Sequence, residues 1–383
     1  MRTWGENAAM EERPFKLGIV CYPTVGGSGV VATEMGMYAA ERGHEVHLLS
    51  YDMPARLQVQ EHGVQYHNVR VTAYPLFHHP PYDLALATKM LEVQEEFHLD
   101  LFHVHYAIPH AVSAFLARSM SADRLRCITT LHGTDITVVG ADPAYGRPTR
   151  FAIEESDAVT AVSEFLANAT KTTFGSDKDI EVIPNFVDTD RYRPGDKGRY
   201  YSRPDEERII VHTSNFRPVK RVADVVRAFA QIRKEVPARL LLVGDGPDRE
   251  HALATAADAG CIEWVEHLGN HPSTHAILAD ADLFILASET ESFGLSLLEA
   301  MSCGVPCVST DVGGVREVFG DTGQLTAVGN HRQLADAALL VLKDPELHRK
   351  SSAEVRQRAV EVFDQPTVAE RYFDLYRRVI SRS

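Results

Sequence analysis

The feature that most constrains this chain is a local grammar used twice: a short apolar strand, a turn, then an amphipathic helix, repeated. The first series begins at Lys16, with LGIVCY as a buried strand, a helix over 29–42 and EVHLLSY as the next strand. FHVHY, CITTLHG and AVTAVS continue it. The second begins near Arg208 with RIIVHTS, a helix over 221–235, ARLLLVGDG, a helix over 247–259, ADLFILAS, a helix over 294–302 and PCVST. Apolar strands alternating with helices predict parallel sheets covered on both faces. Two such series predict an α/β protein of two doubly wound domains. The 383 residues accommodate this, at about 100–200 residues per domain.

The join between the series is legible. Residues 184–196, PNFVDTDRYRPGD, carry two prolines, a glycine and several charges without a sustained apolar period, and are predicted as a connection. From Pro366 the chain predicts an amphipathic helix with proline at its start, crossing back to the first domain. The expected division is a disordered leader over 1–15, a first domain over 16–187 plus 366–383, and a second over 188–365. With 39 basic and 53 acidic residues the net charge is −14, the opposite of a nucleic-acid footprint. No apolar run reaches the roughly 18 residues of a membrane span. The five cysteines (Cys21, Cys127, Cys261, Cys303, Cys307) lack metal spacing and read as reduced structural thiols of a cytoplasmic protein. A homodimer is compatible with the sequence.

In open parallel sheets, ligands bind at the loops that follow the strands. The loop after the first strand holds Gly26, Gly27, Ser28 and Gly29. Gly27-x-Gly29-x-x-Ala32 matches a dinucleotide fingerprint, with Asp52 further on, but the fingerprint needs its first glycine at the strand end. Residues Tyr22 to Gly26 intervene. Nicotinamide binding, a flexible turn, and a loop whose amides approach a phosphate or carboxylate are the three readings, and the last is preferred. After ADLFILAS come Glu291 and Glu299, eight residues apart. A helical path separates them by about 12 Å, beyond the roughly 5–9.5 Å of a glycosidase carboxylate pair. They suit two ends of one elongated ligand better than one scissile bond. Between them Phe293-Gly294-Leu295 opens a helix whose free amides suit an anion. A capping glutamate plus a solvated one is the plain alternative.

E-x7-E after such a strand resembles the retaining GT-B glycosyltransferases of family four. Gly26-Gly27, HGTD from His132, IPNFVDTDRYRP, VGDGP around Asp245 and SCGVP extend the resemblance from Lys16 over nearly the whole chain. CYPTVGGSGVVATE, HVHYAIPH, TTLHGTDIT and HTSNFRPVKRV are similar to a subfamily of the bacillithiol pathway. The resemblance implies two Rossmann-like domains facing across a cleft, the first binding the acceptor and the second the nucleotide sugar. It implies UDP-N-acetylglucosamine as donor, the hydroxyl of L-malate as acceptor, a retained α-linkage and no metal or other cofactor. A different small acceptor, or 2-epimerisation of a UDP-sugar, remains the alternative. The family's usual first phosphate-binding arginine is here Asn215, so Arg217 is the candidate replacement, beside Lys220. A cation suits a leaving diphosphate, whose charge develops in the transition state. His132 is placed at the donor sugar, Glu291 at sugar hydroxyls and Glu299 at the ribose. The expected donor site comprises Gly26, Gly27, Asn215, Arg217, Lys220, Asp245, Glu291, Phe293, Gly294, Leu295 and Glu299. His132, Glu291, Lys220 and Arg217 are expected to serve the reaction itself. Malate, a dianion, needs fixed donors and an arginine. Strand-end position nominates Ser28, Tyr106 and Thr130, with Arg150 as the cation. His103 and His105 share a strand face near His110. They are read as packed and hydrogen-bonded rather than as metal ligands.

Overall fold

A computed structural model of the chain describes residues 13–382, except 25, 58–62, 73, 74, 77, 123, 124, 141, 196–199, 202, 203 and 205. The first sheet is built from β1 (Lys16–Val20), β2 (Glu45–Ser50), β3 (Gln65–Asn68), β4 (Leu101–His105), β5 (Cys127–Leu131), β6 (Ala158–Ala161) and β7 (Ile180–Val182). Its order is β3-β2-β1-β4-β5-β6-β7. The second comprises β8 (Arg208–Thr213), β9 (Ala238–Val243), β10 (Val265–Gly269), β11 (Leu283–Leu286), β12 (Cys307–Thr310) and β13 (Gln324–Thr326). Its order is β10-β9-β8-β11-β12-β13. Every pairing is parallel. The two domains are therefore doubly wound Rossmann-like sheets, the GT-B arrangement.

Helices cover both faces of each sheet, which is why the central strands are buried along their length, whereas the edge strand Gln65–Asn68 is polar and partly exposed. Met35, Ala39 and Val368 cover one face of the first sheet, and Leu86, Met90 and Ala114 the other. In the second sheet Val225, Phe229 and Leu334 oppose Leu298, Met301 and Val355. Strand order reverses beside β1 and beside β8, so the loops after β1, β4, β8 and β11 open at the two switch points. Ligands of this architecture bind there.

The last helix, Gln365–Ser381, packs Tyr372, Phe373 and Tyr376 on the first sheet. The chain thus passes between the sheets twice. The passages are tied together: Val187 N–H donates to the Phe363 carbonyl at 2.9 Å and Gln365 N–H to the Val187 carbonyl at 3.0 Å. The Thr189 hydroxyl donates to Asp364 at 2.7 Å. Of the expected leader, residues 1–12 lie outside the described residues, as does Asp196 of the expected connection. Phe15 does not fit a leader. It is 6% exposed and stacks on His44 while meeting Phe373 and Tyr376. An aromatic ring with an apolar socket gains from burial whatever the polarity of the segment before it. No helix among the described residues is long and apolar enough to cross a membrane.

Candidate active site

The loop after β1 delivers Gly26, Gly27 and Ser28 to the start of the helix Ser28–Glu41. Gly27 has φ +65, and the helix start carries no side-chain cap, so its first amides are open to a ligand. The Ser28 hydroxyl donates to the Tyr106 hydroxyl at 2.8 Å. Tyr106 follows β4 with φ 87, an unusual conformation for a tyrosine, held by packing against Tyr22 and His132.

Beneath this pair lies a row of buried imidazoles. His105 Nδ1 and His132 Nε2 share a hydrogen bond of 2.8 Å. His103 bonds the Thr130 hydroxyl at 2.6 Å and the Tyr376 hydroxyl at 2.8 Å. Burial pushes His132 and His103 down to about 3 and His110 down to about 4, so all are neutral near pH 7. The loop bearing His132 is pinned by Asp135. Its carboxylate accepts the amides of Ala107 at 3.0 Å, Gly133 at 2.9 Å and His132 at 3.3 Å. Burial raises Asp135 to about 6 against the pull of those bonds.

On the facing domain, the loop after β8 turns on Phe216, fully buried with φ 43. Its tip, Pro218–Lys220, is tied to the loop after β11 by the Glu289 amide donating to the Val219 carbonyl at 2.8 Å. The Lys220 ammonium thereby meets Glu291 Oε2 at 2.6 Å. Behind Glu291 the Gly314 amide donates to its carbonyl at 3.0 Å. Gly294, φ +98, opens the helix Leu295–Ser302 without a side-chain cap. Burial pushes the Tyr106 phenol up to about 12, against a small opposing effect of the exposed Arg217 guanidinium.

Three contacts close the domains on each other. A Cβ on Gly133 would lie 1.7 Å from Ser292 Oγ, so His132 and Glu291 sit on loops in direct contact. The Ser163 hydroxyl donates to the Ser292 carbonyl at 2.7 Å. Glu317 accepts the amides of Glu164 at 2.7 Å and Phe165 at 2.8 Å, at the start of the helix Glu164–Phe174. Further along the cleft Arg56 donates to Glu34 at 2.6 Å, to the Tyr192 hydroxyl at 2.9 Å and to Glu299 at 3.1 Å.

Most predicted residues converge here: Gly26, Gly27, Ser28, Tyr106 and His132 from one domain, Arg217, Lys220, Glu291 and Gly294 from the other. Two acceptor residues do not. Thr130 is fully buried, its hydroxyl engaged by His103 and by Thr160 at 2.7 Å, in the layer under the last helix. Strand alternation sets it on the face that this helix covers. Arg150 is exposed and lines a separate surface pocket of about 300 Å³ between Gly140, Arg147 and Phe174. The Phe293 ring is 4% exposed and packs edge-on against Phe363. Leu295 is half-buried against the apolar core. Only the backbone of these two faces the helix start. The Asn215 side chain is exposed, and its backbone packs so closely on Gly246 that a Cβ there would lie 2.0 Å from the Asn215 carbonyl oxygen. Asp245 is held by Arg249 at 3.4 Å. Sequence reading missed Asp135, Arg56 and Glu317. The aspartate of HGTD was the one visible signal. Among the described residues no group of three His, Cys, Asp or Glu is placed to hold a metal ion.

Known proteins share this arrangement. Residues 25–191 match the model of Glycosyltransferase Family 4 and residues 199–358 that of Glycosyl transferases group 1. The chain is 48% identical over 370 residues to N-acetyl-alpha-D-glucosaminyl L-malate synthase of Bacillus anthracis, covering 95% of this chain and 97% of that protein. It is 28% identical to D-inositol 3-phosphate glycosyltransferase of Nocardia farcinica, covering 90% and 86%. Sucrose-phosphate synthase of Thermosynechococcus elongatus superposes with a TM-score of 0.82 at 22% identity, covering 97% of this chain and 100% of that one. Anabaena HepE in complex with UDP and glucose superposes with a TM-score of 0.77 at 20% identity, covering 94% and 99%. The chain belongs to the family-four GT-B glycosyltransferases.

Proposed function

We propose that this protein transfers N-acetylglucosamine from UDP-N-acetylglucosamine to the hydroxyl of L-malate, with retention at the anomeric carbon, as a first step towards bacillithiol. The observation that carries the reading is the 48% identity to the Bacillus anthracis synthase over 97% of its length. Candidate site residues at both switch points support it. The diphosphate fits between the open amides of the glycine loop, those after Gly294, and the cations Arg217 and Lys220. Glu291, held at 2.6 Å by Lys220, orients sugar hydroxyls. His132 meets the sugar as a neutral group. His105 Nε2 is buried without a partner among the described residues. A buried orphan N–H costs more than an orphan lone pair. The proton therefore sits on His105 Nδ1, pointing at His132 Nε2, and His132 offers its own Nδ1–H.

Ser28 and Tyr106 line the acceptor side, with Arg217 near enough to answer a carboxylate. Attack comes on the face the diphosphate leaves. The malate oxygen bonds to the anomeric carbon, the bond to phosphate oxygen breaks, and that oxygen takes the hydroxyl proton. Positioning and charge stabilisation do the catalysis, without a metal. Purified protein given both substrates and a chelator is expected to release UDP only when malate is present. Malate-independent release, or conversion of the donor alone, overturns the acceptor. A β-linked product overturns retention.

A further inference from the structure

Arg56 lies on the turn after β2, far in sequence from every motif of the family, yet it spans both domains. Its guanidinium donates through Nη1 to Glu34, on the helix after the glycine loop, at 2.6 Å. Through Nη2 it reaches the Tyr192 hydroxyl at 2.9 Å and Glu299, on the helix Leu295–Ser302, at 3.1 Å. The Arg56 side chain is 18% exposed, and those of Glu34 and Glu299 are 8% exposed. Tyr192 lies beneath Arg56, the guanidinium 5.8 Å from its ring centre. Arg191 adds a second cation, 3.9 Å from Glu34.

Two carboxylates from opposite domains are thus buried close together when the domains are shut. Buried like charges oppose closure unless a counter-charge joins them. A carboxylate that grips a vicinal diol must also be ionised and fixed in rotamer, because it accepts from two hydroxyls at once. A forked guanidinium bonded to one of its oxygens supplies both conditions, where a lysine supplies only the charge.

We propose that Arg56 is a positioning residue for Glu299, through which the acceptor-side domain sets recognition of the ribose diol of the donor nucleotide. The proposal rests on the reading that Glu299 takes the ribose. It makes ribose recognition a property of the closed molecule, since the residue aiming Glu299 comes from the other domain. The group that Arg56 helps to recognise is chemically simple: a 2′,3′-cis-diol on a uridine diphosphate.

The test compares binding of UDP with binding of 2′,3′-dideoxy-UDP by calorimetry, in wild type, Arg56→Met, Arg56→Lys and Glu299→Gln. The wild type is expected to prefer UDP by about 10- to 100-fold, the span of one or two charge-assisted hydrogen bonds. In Arg56→Met the preference falls to within about threefold of unity; loss of the counter-charge weakens both ligands, but UDP by the larger factor. A merely structural role weakens both ligands alike. Arg56→Lys keeps the charge without the fork, and its preference is intermediate. If Arg56→Met does not fold, the lysine variant decides, and an unchanged preference there overturns the proposal. Glu299→Gln separates the two levels. If it keeps the full preference, the ribose reading itself fails. If it loses the preference while Arg56→Met retains it, Glu299 reads the diol and Arg56 does not position it.

Discussion

Gly133→Ala isolates domain closure from chemistry. Gly133 sits at φ +116, and a Cβ there would lie 1.7 Å from Ser292 Oγ and 2.7 Å from Ser292 Cβ. The hydroxyl can rotate aside. The Cβ cannot, and 2.7 Å is about 0.7 Å short of the 3.4 Å at which ordinary contact begins. The domains must therefore stand apart by that amount at the point where the loops bearing His132 and Glu291 meet. A misplacement near 1 Å costs up to about 100-fold in rate, so kcat is expected to fall by about 10- to 100-fold. A second cost is local. A non-glycine residue at such a φ costs about 1–3 kcal/mol. At about 2–4 °C per kcal/mol for a domain of this size, Tm falls by roughly 2–12 °C. The two costs separate in double variants, read by UDP release and by calorimetry. Ser292→Gly removes both atoms in the way, so Gly133→Ala with Ser292→Gly recovers most of kcat and keeps the Tm loss. Ser292→Ala leaves the Cβ and rescues little. Wild-type kcat in Gly133→Ala, or equal rescue by alanine and glycine at 292, refutes the closure argument.

Three further outcomes are expected. Asp135 is raised from 3.8 to about 6, so the folded state holds the extra proton between those values and its stability falls as pH rises through that window. The gap in unfolding free energy between wild type and Asp135→Asn, from urea titrations, should shift against wild type by about 2 kcal/mol from pH 4 to 6, and level off above about pH 7. A gap that moves the other way refutes the assignment. His132 lies near 3, so kcat/KM should show no inflection near 6.5 that disappears in His132→Gln. Glu317→Ala strips the acceptor from the Glu164 and Phe165 amides across the cleft. It is expected to lower kcat/KM by about 2- to 5-fold, the effect of a carboxylate at an exposed helix start, and to enlarge the radius of gyration with UDP bound. Unchanged scattering and rate would exclude a closing role.

The fold was legible because its information is local. Each apolar strand and each helical period in LGIVCY or RIIVHTS is complete within a few residues, and alternation then forces parallel sheets. The site was legible where it rides on those units, as with Gly27, His132, Lys220 and Glu291 at strand ends. It failed where a side chain's surroundings come from far along the chain. Thr130 looked available until the last helix, arriving 242 residues later as Tyr372, covered its face. Arg150 has the right charge on a helix that turns it to another pocket. Arg56 and Glu317 carry no local pattern, because their partners Glu299 and Glu164 stand 243 and 153 residues away.

The charge balance shows how such a chain recognises two anions. At −14 overall, its long-range field opposes both proposed substrates. Inside the cleft the cations are mostly spoken for: Lys220 is neutralised by Glu291, and Arg56 by Glu34 and Glu299. Among the described residues Arg217 has no ion-pair partner. Attraction then comes largely from short-range donors at the helix starts after Gly27 and Gly294, with Arg217 and the Glu291-paired Lys220 adding to it. In this structure the two helix starts belong to opposite domains that meet at Gly133 and Ser292. A ligand that spans both helix starts therefore favours closure as well, and one too short to reach both forgoes that gain.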